Sequence, residues 1–147
     1  MSEDACPLPS RSDNDEDAAV ARMLRAKRIV VVGLSDDPGR PSYGVARYLQ
    51  SVGKEIVPVN PNYEKVLGLR SYPSLAAAPG PIEVVDVFRR PEFCAEVVRE
   101  AIAAGAKGVW LQSGIVSKEA ARLAAEAGID FVQDRCIKVE HMVRGGR

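Results

Sequence analysis

The chain has 147 residues, 46% hydrophobic and 27% charged, with 20 basic side chains balancing 20 acidic ones. That profile fits one globular domain with a real core, and the zero net charge gives no global field to draw in nucleic acid or an anionic membrane. No apolar run approaches the ~20 residues of a membrane span; three scattered cysteines (Cys6, Cys94, Cys136) and one histidine, His141, argue against a disulfide framework and most zinc or Ser-His-Asp schemes.

Residues 1–12 are rich in Ser, Pro and Asp and read as a disordered tail, leaving residues 13–147 as a single domain. The N-terminus has no apolar signal region, so the expected location is cytoplasmic. A helix is predicted over Asp13 to Ala26, with acidic residues at its start and Arg22, Arg25 and Lys27 towards its end. The β-branched run from Arg28 to Gly33 suits a strand buried on both faces. After a polar loop, Val45, Tyr48, Leu49 and Val52 share one face of a helix from Tyr43 to Val52, with Ser42 as its expected cap and Gly53 as its stop.

A second strand is expected over Glu55 to Val59, ending at Asn60-Pro61-Asn62. Between Tyr63 and Pro81 the residues suggest a turn at Val66-Leu67-Gly68 and a short helix over Ser74 to Ala78. The third strand is Ile82 to Phe88. Pro91 opens a helix that reaches Ala104 and closes at Gly105. Lys107 to Leu111 is the fourth strand, with Trp110 expected in the core. Ser117 caps a helix that stops at Gly128, Ile129 to Val132 is the fifth strand, and Ile137 to Val143 is a last short element. Alternating strands and helices imply an α/β, Rossmann-like, doubly wound sheet of five parallel strands with helices on both faces.

Ligands of such sheets bind at the carboxyl ends of the strands, near the point where strand order reverses. The segments expected on that rim are Gly33-Leu34-Ser35, Asn60-Pro61, Phe88-Arg89-Arg90-Pro91, Gln112-Ser113-Gly114 and Gln133-Asp134-Arg135-Cys136. The first continues through Arg40 to a helix start at Ser42-Tyr43-Gly44, where backbone N–H groups attract an anion such as phosphate. A nicotinamide dinucleotide fits poorly. No second glycine follows Gly33 by two residues, and the second strand ends in Asn60 where an acidic residue would meet the ribose. A P-loop is absent as well.

Five separated motifs now point one way: Val31 to Gly44; Pro58-Val59-Asn60-Pro61; Val84 to Pro91 (VVDVFRRP); Gly105 to Gln112 (GAKGVWLQ); and Asp134 to His141 (DRCIKVEH). Together they resemble the small stand-alone CoA-binding proteins over about Ala18 to His141. The fold is similar to the CoA-binding domain of the succinyl-CoA synthetase alpha subunit and of ADP-forming acyl-CoA synthetases. The resemblance implies coenzyme A as ligand. Gly33, Leu34 and Ser35 would line its pyrophosphate, and Arg40, Ser42, Tyr43 and Gly44 would hold phosphate. Asn60 and Pro61 would flank the nucleotide, while Phe88, Arg89 and Pro91 would border adenine or the ribose phosphate. The synthetase uses a phosphorylated histidine from a second domain. This length leaves no room for one, His141 lacks a glycine-rich phosphohistidine context, and no ATP-grasp region or general base is identified. The expectation is therefore CoA or acyl-CoA binding without catalysis.

Plainer readings stand beside these. Arg40 and Arg89 are surface charges or ligand contacts, Arg90 reads as surface, and Asn60-Pro61 is a turn or a ligand wall. His141 reads as structural or surface, and Asp134 and Arg135 as a pair or a loop support. Cys136 is either an inert thiol or a neighbour of the CoA thiol, able to form a mixed disulfide with it. The alternative functions are a subunit of a split acyl-CoA ligase and an NAD(P)-binding regulatory protein. A dimer surface, and so a homo-oligomer, is left open.

Overall fold

The computed structural model describes residues 13–144, so the tail read over residues 1–12 lies outside the described residues. In chain order the elements are α1 (Asp13–Arg25), β1 (Arg28–Val32), α2 (Pro41–Ser51), β2 (Glu55–Val59), β3 (Lys65–Val66) and β4 (Leu69–Arg70). They continue as β5 (Val84–Val87), α3 (Pro91–Ala103), β6 (Gly108–Leu111), α4 (Lys118–Ala127), β7 (Asp130–Val132) and α5 (Ile137–Val143). Five strands pair in parallel in the order β2-β1-β5-β6-β7. The chain moves outward from β1 to β2 and then crosses back to β5. The strand order reverses between β1 and β5, and there the loops splay apart into a crevice.

The valine-rich strands are buried on both faces because each face carries helices. Val30, Val32, Val85, Val87, Val109 and Leu111 meet α3 and α4 through Val97, Val98, Ala101, Ala120 and Ala124. Their alternates, Ile29, Val31, Val84 and Trp110, meet α1, α2 and α5 through Val20, Met23, Leu24, Leu49 and Ile137. Trp110 is fully buried, and its Nε1–H donates to Arg135 O at 2.7 Å. His141 is buried too, with its Nδ1 2.6 Å from the Tyr48 hydroxyl. Burial and the Lys54 charge both lower its pKa.

Helix ends follow the sequence closely. Gly53, Gly105 and Gly128 take positive φ where they were expected as stops. Ser117 Oγ accepts the Ala120 N–H at 3.1 Å. Ser117→Ala is expected to lower stability by about 1 kcal/mol, read as a shift in the urea midpoint; an unmoved midpoint would show that the cap contributes nothing.

Three local expectations change. Helix α2 begins at Pro41, with Arg40 at the N-cap and no side-chain cap. Proline at N1 sets the helical φ and has no N–H to satisfy. The helix expected over Ser74 to Ala78 is a single turn, with Ala77 N–H to Ser74 O at 3.2 Å and Ala78 N–H to Leu75 O at 3.1 Å. Prolines 73 and 79 leave it too short to propagate. The turn at Leu67-Gly68 closes an antiparallel ribbon of β3 and β4. Both turn residues have positive φ, 57° and 74°, the signature of a tight hairpin that matches strand twist.

Candidate functional site

The site is built outward from Gly33, the residue after β1. Its φ is +85°, and a Cβ placed there would lie 2.4 Å from Phe88 O. The Gly33 N–H donates to Val59 O at 2.8 Å, while Phe88 N–H donates to Val32 O at 2.9 Å. Three strand ends thus meet at one point that only glycine fits.

From there the loop is held by its own polar groups. Ser35 N–H donates to Ser42 Oγ at 3.0 Å, so that hydroxyl braces the loop and does not cap α2. Ser35 Oγ lies 3.3 Å from the Tyr63 hydroxyl and accepts the Asp37 N–H at 3.0 Å. Asp37 in turn takes the Gly39 N–H at 2.9 Å. Asn60 Nδ2 donates to Leu34 O at 3.0 Å, tying the β1 and β2 loops together. Because Pro41 lacks an N–H and the Tyr43 N–H donates to Arg40 O at 3.1 Å, the helix start offers fewer open donors than its sequence suggests.

A cavity of about 560 Å³ lies over this junction. Eight of the residues nominated from sequence line it: Gly33, Ser35, Arg40, Ser42, Asn60, Phe88, Arg89 and Pro91. Asp37, Pro41, Asn62, Tyr63, Arg90 and Ile115 complete the wall. An adjoining cavity of about 450 Å³ lies towards α3 and includes Pro61, Phe93, Glu96 and Glu100. Gly33, Asn60, Asn62, Phe88 and Arg89 border both. Leu34, Tyr43 and Gly44 line neither: Leu34 is fully buried in the α1–α2–α5 layer, and the phase of α2 turns Tyr43 and Gly44 away. Arg90, read as a solvated surface charge, is exposed and also forms part of the wall.

The wall of the first cavity carries three arginines, Arg40, Arg89 and Arg90, and one carboxylate, Asp37, which takes the Gly39 N–H. Among the described residues the ion pairs use Arg22, Arg28, Arg99, Arg122, Arg135 and Arg144. Arg40, Arg89 and Arg90 take no carboxylate. Arg89 instead lies over the Phe93 ring, 4.6 Å from its centroid, with Arg90 at 5.9 Å. In the second cavity burial raises the Glu100 carboxyl pKa, Glu96 adds to that, and Arg89 opposes it. Cys94 lies beneath, its sulfur 3.7 Å from Arg89 O, and burial pushes its thiol up.

The other two rim loops serve structure. Gln112 Oε1 accepts the Ile137 N–H at 3.1 Å, and Gln133 Oε1 the Ser117 N–H at 3.0 Å. Asp134 and Arg135 do not pair with each other. Asp134 Oδ1 takes the Gly114 N–H at 2.7 Å, and Arg135 bridges Glu16, Asp17 and Glu140. Cys136 is half-buried at the N-cap of α5, packed on the α1–α2–α5 layer, and lines neither cavity. Sequence reasoning missed Asn62 and Tyr63, although their place just beyond the second strand's end was the available signal. No helix among the described residues is long and apolar enough to cross a membrane. No described cluster of three or more His, Cys, Asp or Glu could hold a metal.

Known proteins share this arrangement. The uncharacterized protein YneT of Bacillus subtilis is 43% identical over 131 residues, spanning 88% of this chain and 97% of that one. A solved structure of a hypothetical protein from Pyrococcus horikoshii superposes with a TM-score of 0.82 at 40% identity, covering 97% and 98% of the two chains. The ADP-forming acetate–CoA ligase II of Archaeoglobus fulgidus is 32% identical over 95 residues, which are 63% of this chain and 14% of the ligase. The similarity to the ligase is therefore to one part of a much longer protein. Residues 27–142, which hold the whole sheet and both cavities, match the CoA binding domain, and the chain belongs to that family.

Proposed function

We propose that the chain binds coenzyme A or an acyl-CoA as a module without chemistry of its own. The pyrophosphate lies over Gly33 and the β1–α2 loop, within reach of Arg40. The observation that carries this reading is the set of three arginines, Arg40, Arg89 and Arg90, lining one cavity at the strand reversal with no carboxylate partner among the described residues. Unpaired guanidinium groups around a close backbone approach suit a diphosphate. The apolar faces of Phe88 and Phe93 suit a base or a pantetheine arm.

Calorimetry with CoA, dephospho-CoA and NAD tests it. Saturable CoA binding is expected, and Arg40→Ala should weaken it about tenfold, the worth of one charge-assisted hydrogen bond. Binding of NAD in place of CoA would favour the nicotinamide reading, and binding of neither would overturn both. A second reading, a subunit of a split acyl-CoA ligase, is supported by one similarity. The alpha subunit of the ADP-forming acetate–CoA ligase II of Pyrococcus furiosus is 25% identical over 76% of this chain. Co-purification with an ATP-grasp subunit would favour it.

A further inference from the structure

Helix α5 carries apolar side chains on the side that faces solvent as well as on the side that faces the core. Its inner positions, Ile137 and His141, are buried. Its outer positions, Val139, Met142 and Val143, follow the i, i+3, i+4 spacing of one helical stripe. They are 50%, 55% and 76% exposed. A surface helix usually turns polar residues outward there. Six large apolar side chains are exposed among the described residues, and three of them share this one short helix, so they form a patch. Lys138 precedes the stripe, 5.6 Å from the centroid of the Tyr48 ring. It takes no carboxylate among the described residues.

Two observations bear on what covers the stripe. The first is where the chain enters α1. Arg144, next to Val143, donates to Asp17 Oδ1 at 3.2 Å, and Arg135, just before α5, donates to Glu16 Oε1 at 2.7 Å. The start of α1 therefore lies beside α5, and residues 1–12, outside the described residues, lead into it. Leu8 lies five residues before Asp13, an extended reach of about 17 Å, against a length of about 10 Å for α5. The second observation is composition. Glu3 and Asp4 carry the carboxylates that Lys138 lacks, and Ala5-Cys6-Pro7-Leu8-Pro9 is an uncharged, mostly apolar run. Leu8 precedes a proline, which favours extended backbone, so less conformational entropy opposes its docking. A second copy is the poorer cover. Three side chains fall far short of the roughly 20–30 residues a side of a stable interface. A tethered segment docks at an effective concentration near the millimolar range and needs fewer contacts.

We propose that the segment from Glu3 to Pro9 covers α5 as a strap. Leu8 seats on Val139, Met142 and Val143, and the Glu3 and Asp4 carboxylates meet Lys138. The helix beneath follows the rim loop at residues 133–136, and its Ile137 N–H is held by Gln112 Oε1 from the neighbouring loop. The strap thus steadies that side of the rim, whatever ligand the cavities take.

The test uses the full chain, whose only methionines are Met1, Met23 and Met142, so the Met142 methyl resonance is easily followed by NMR. Leu8→Ser and removal of residues 2–9 should both move that resonance in one direction and leave the methyl of buried Met23 in place. Trypsin cleavage after Arg11 should quicken about tenfold in Leu8→Ser, the factor that covering one leucine supplies at the low end of its range. Met142→Ser, at an exposed position that leaves the core intact, should quicken it by a similar factor. A Met142 resonance that neither change moves, or one cleavage rate in every variant, would show residues 1–12 to be a free tail and overturn the strap. A wild-type Met142 shift that depends on protein concentration would place a second copy on the stripe and overturn it equally.

Discussion

Replacing Gly33 with alanine is expected to destabilise the protein by about 2–5 kcal/mol, combining left-handed backbone strain with overpacking. The added methyl would meet Phe88 O at 2.4 Å, a backbone atom fixed by its own strand and unable to rotate aside. The strain has to spread into the β1 and β5 ends, where Arg89 and Phe88 face the cavity, so ligand affinity should fall with stability. Gly53→Ala supplies the comparison. Its φ is also positive, +92°, but nothing lies within 4 Å of the new methyl, and it should cost about 1–2 kcal/mol. Chemical denaturation of the two variants separates the effects. Equal losses would mean that Gly33 is an ordinary turn residue.

The second large effect concerns Asp86. It sits in β5 in register with Val31 and Trp110, fully buried, and neither carboxylate oxygen has a hydrogen-bond partner among the described residues. Burial raises its pKa well above the usual carboxylate range. In the unfolded chain it ionises above about pH 3.9, while the native protein keeps the proton. Its contribution is therefore fully present below that pH and is lost as pH rises towards the folded value, at up to about 1.4 kcal/mol per pH unit. Asp86→Asn has nearly the same shape and never ionises. The variant should gain on the wild type from pH 5 to pH 7, measured as the difference between urea unfolding free energies. Taking that difference cancels the exposed ion pairs, whose carboxylates act in the opposite sense. Parallel curves would show that Asp86 does not hold its proton in the native state.

Much of this was legible in the sequence, and the reasons are local. A run such as Ile29 to Val32 has no polar face, so it demanded helices on both sides. Glycines at 53, 105 and 128 marked helix ends because only they take positive φ there cheaply. The ribbon was hidden because each of its strands is two residues long and its turn places Leu67 where asparagine or glycine is usual. Helix α2 was phased too late because Ser42 looked like a cap, whereas its hydroxyl braces Ser35. That shift is what removes Tyr43 and Gly44 from the wall. Arg89 and Arg90 follow the same strand end, and sequence does not say which way each side chain turns beyond it.

The segment from Tyr63 to Tyr72 also protects the sheet from its own exposed margin. Strand β2 is an outermost strand, and such margins are templates for adding a strand from another chain. Here Pro58 lacks an N–H, its carbonyl accepts the Tyr72 N–H at 3.0 Å, and Asn60 N–H donates back to Tyr72 O at 2.9 Å. The opposite margin, β7, has only three residues. The piece of chain that walls the cavities therefore also blocks strand-by-strand aggregation. Shortening it to reshape the site would leave β2 open to pairing with a second copy.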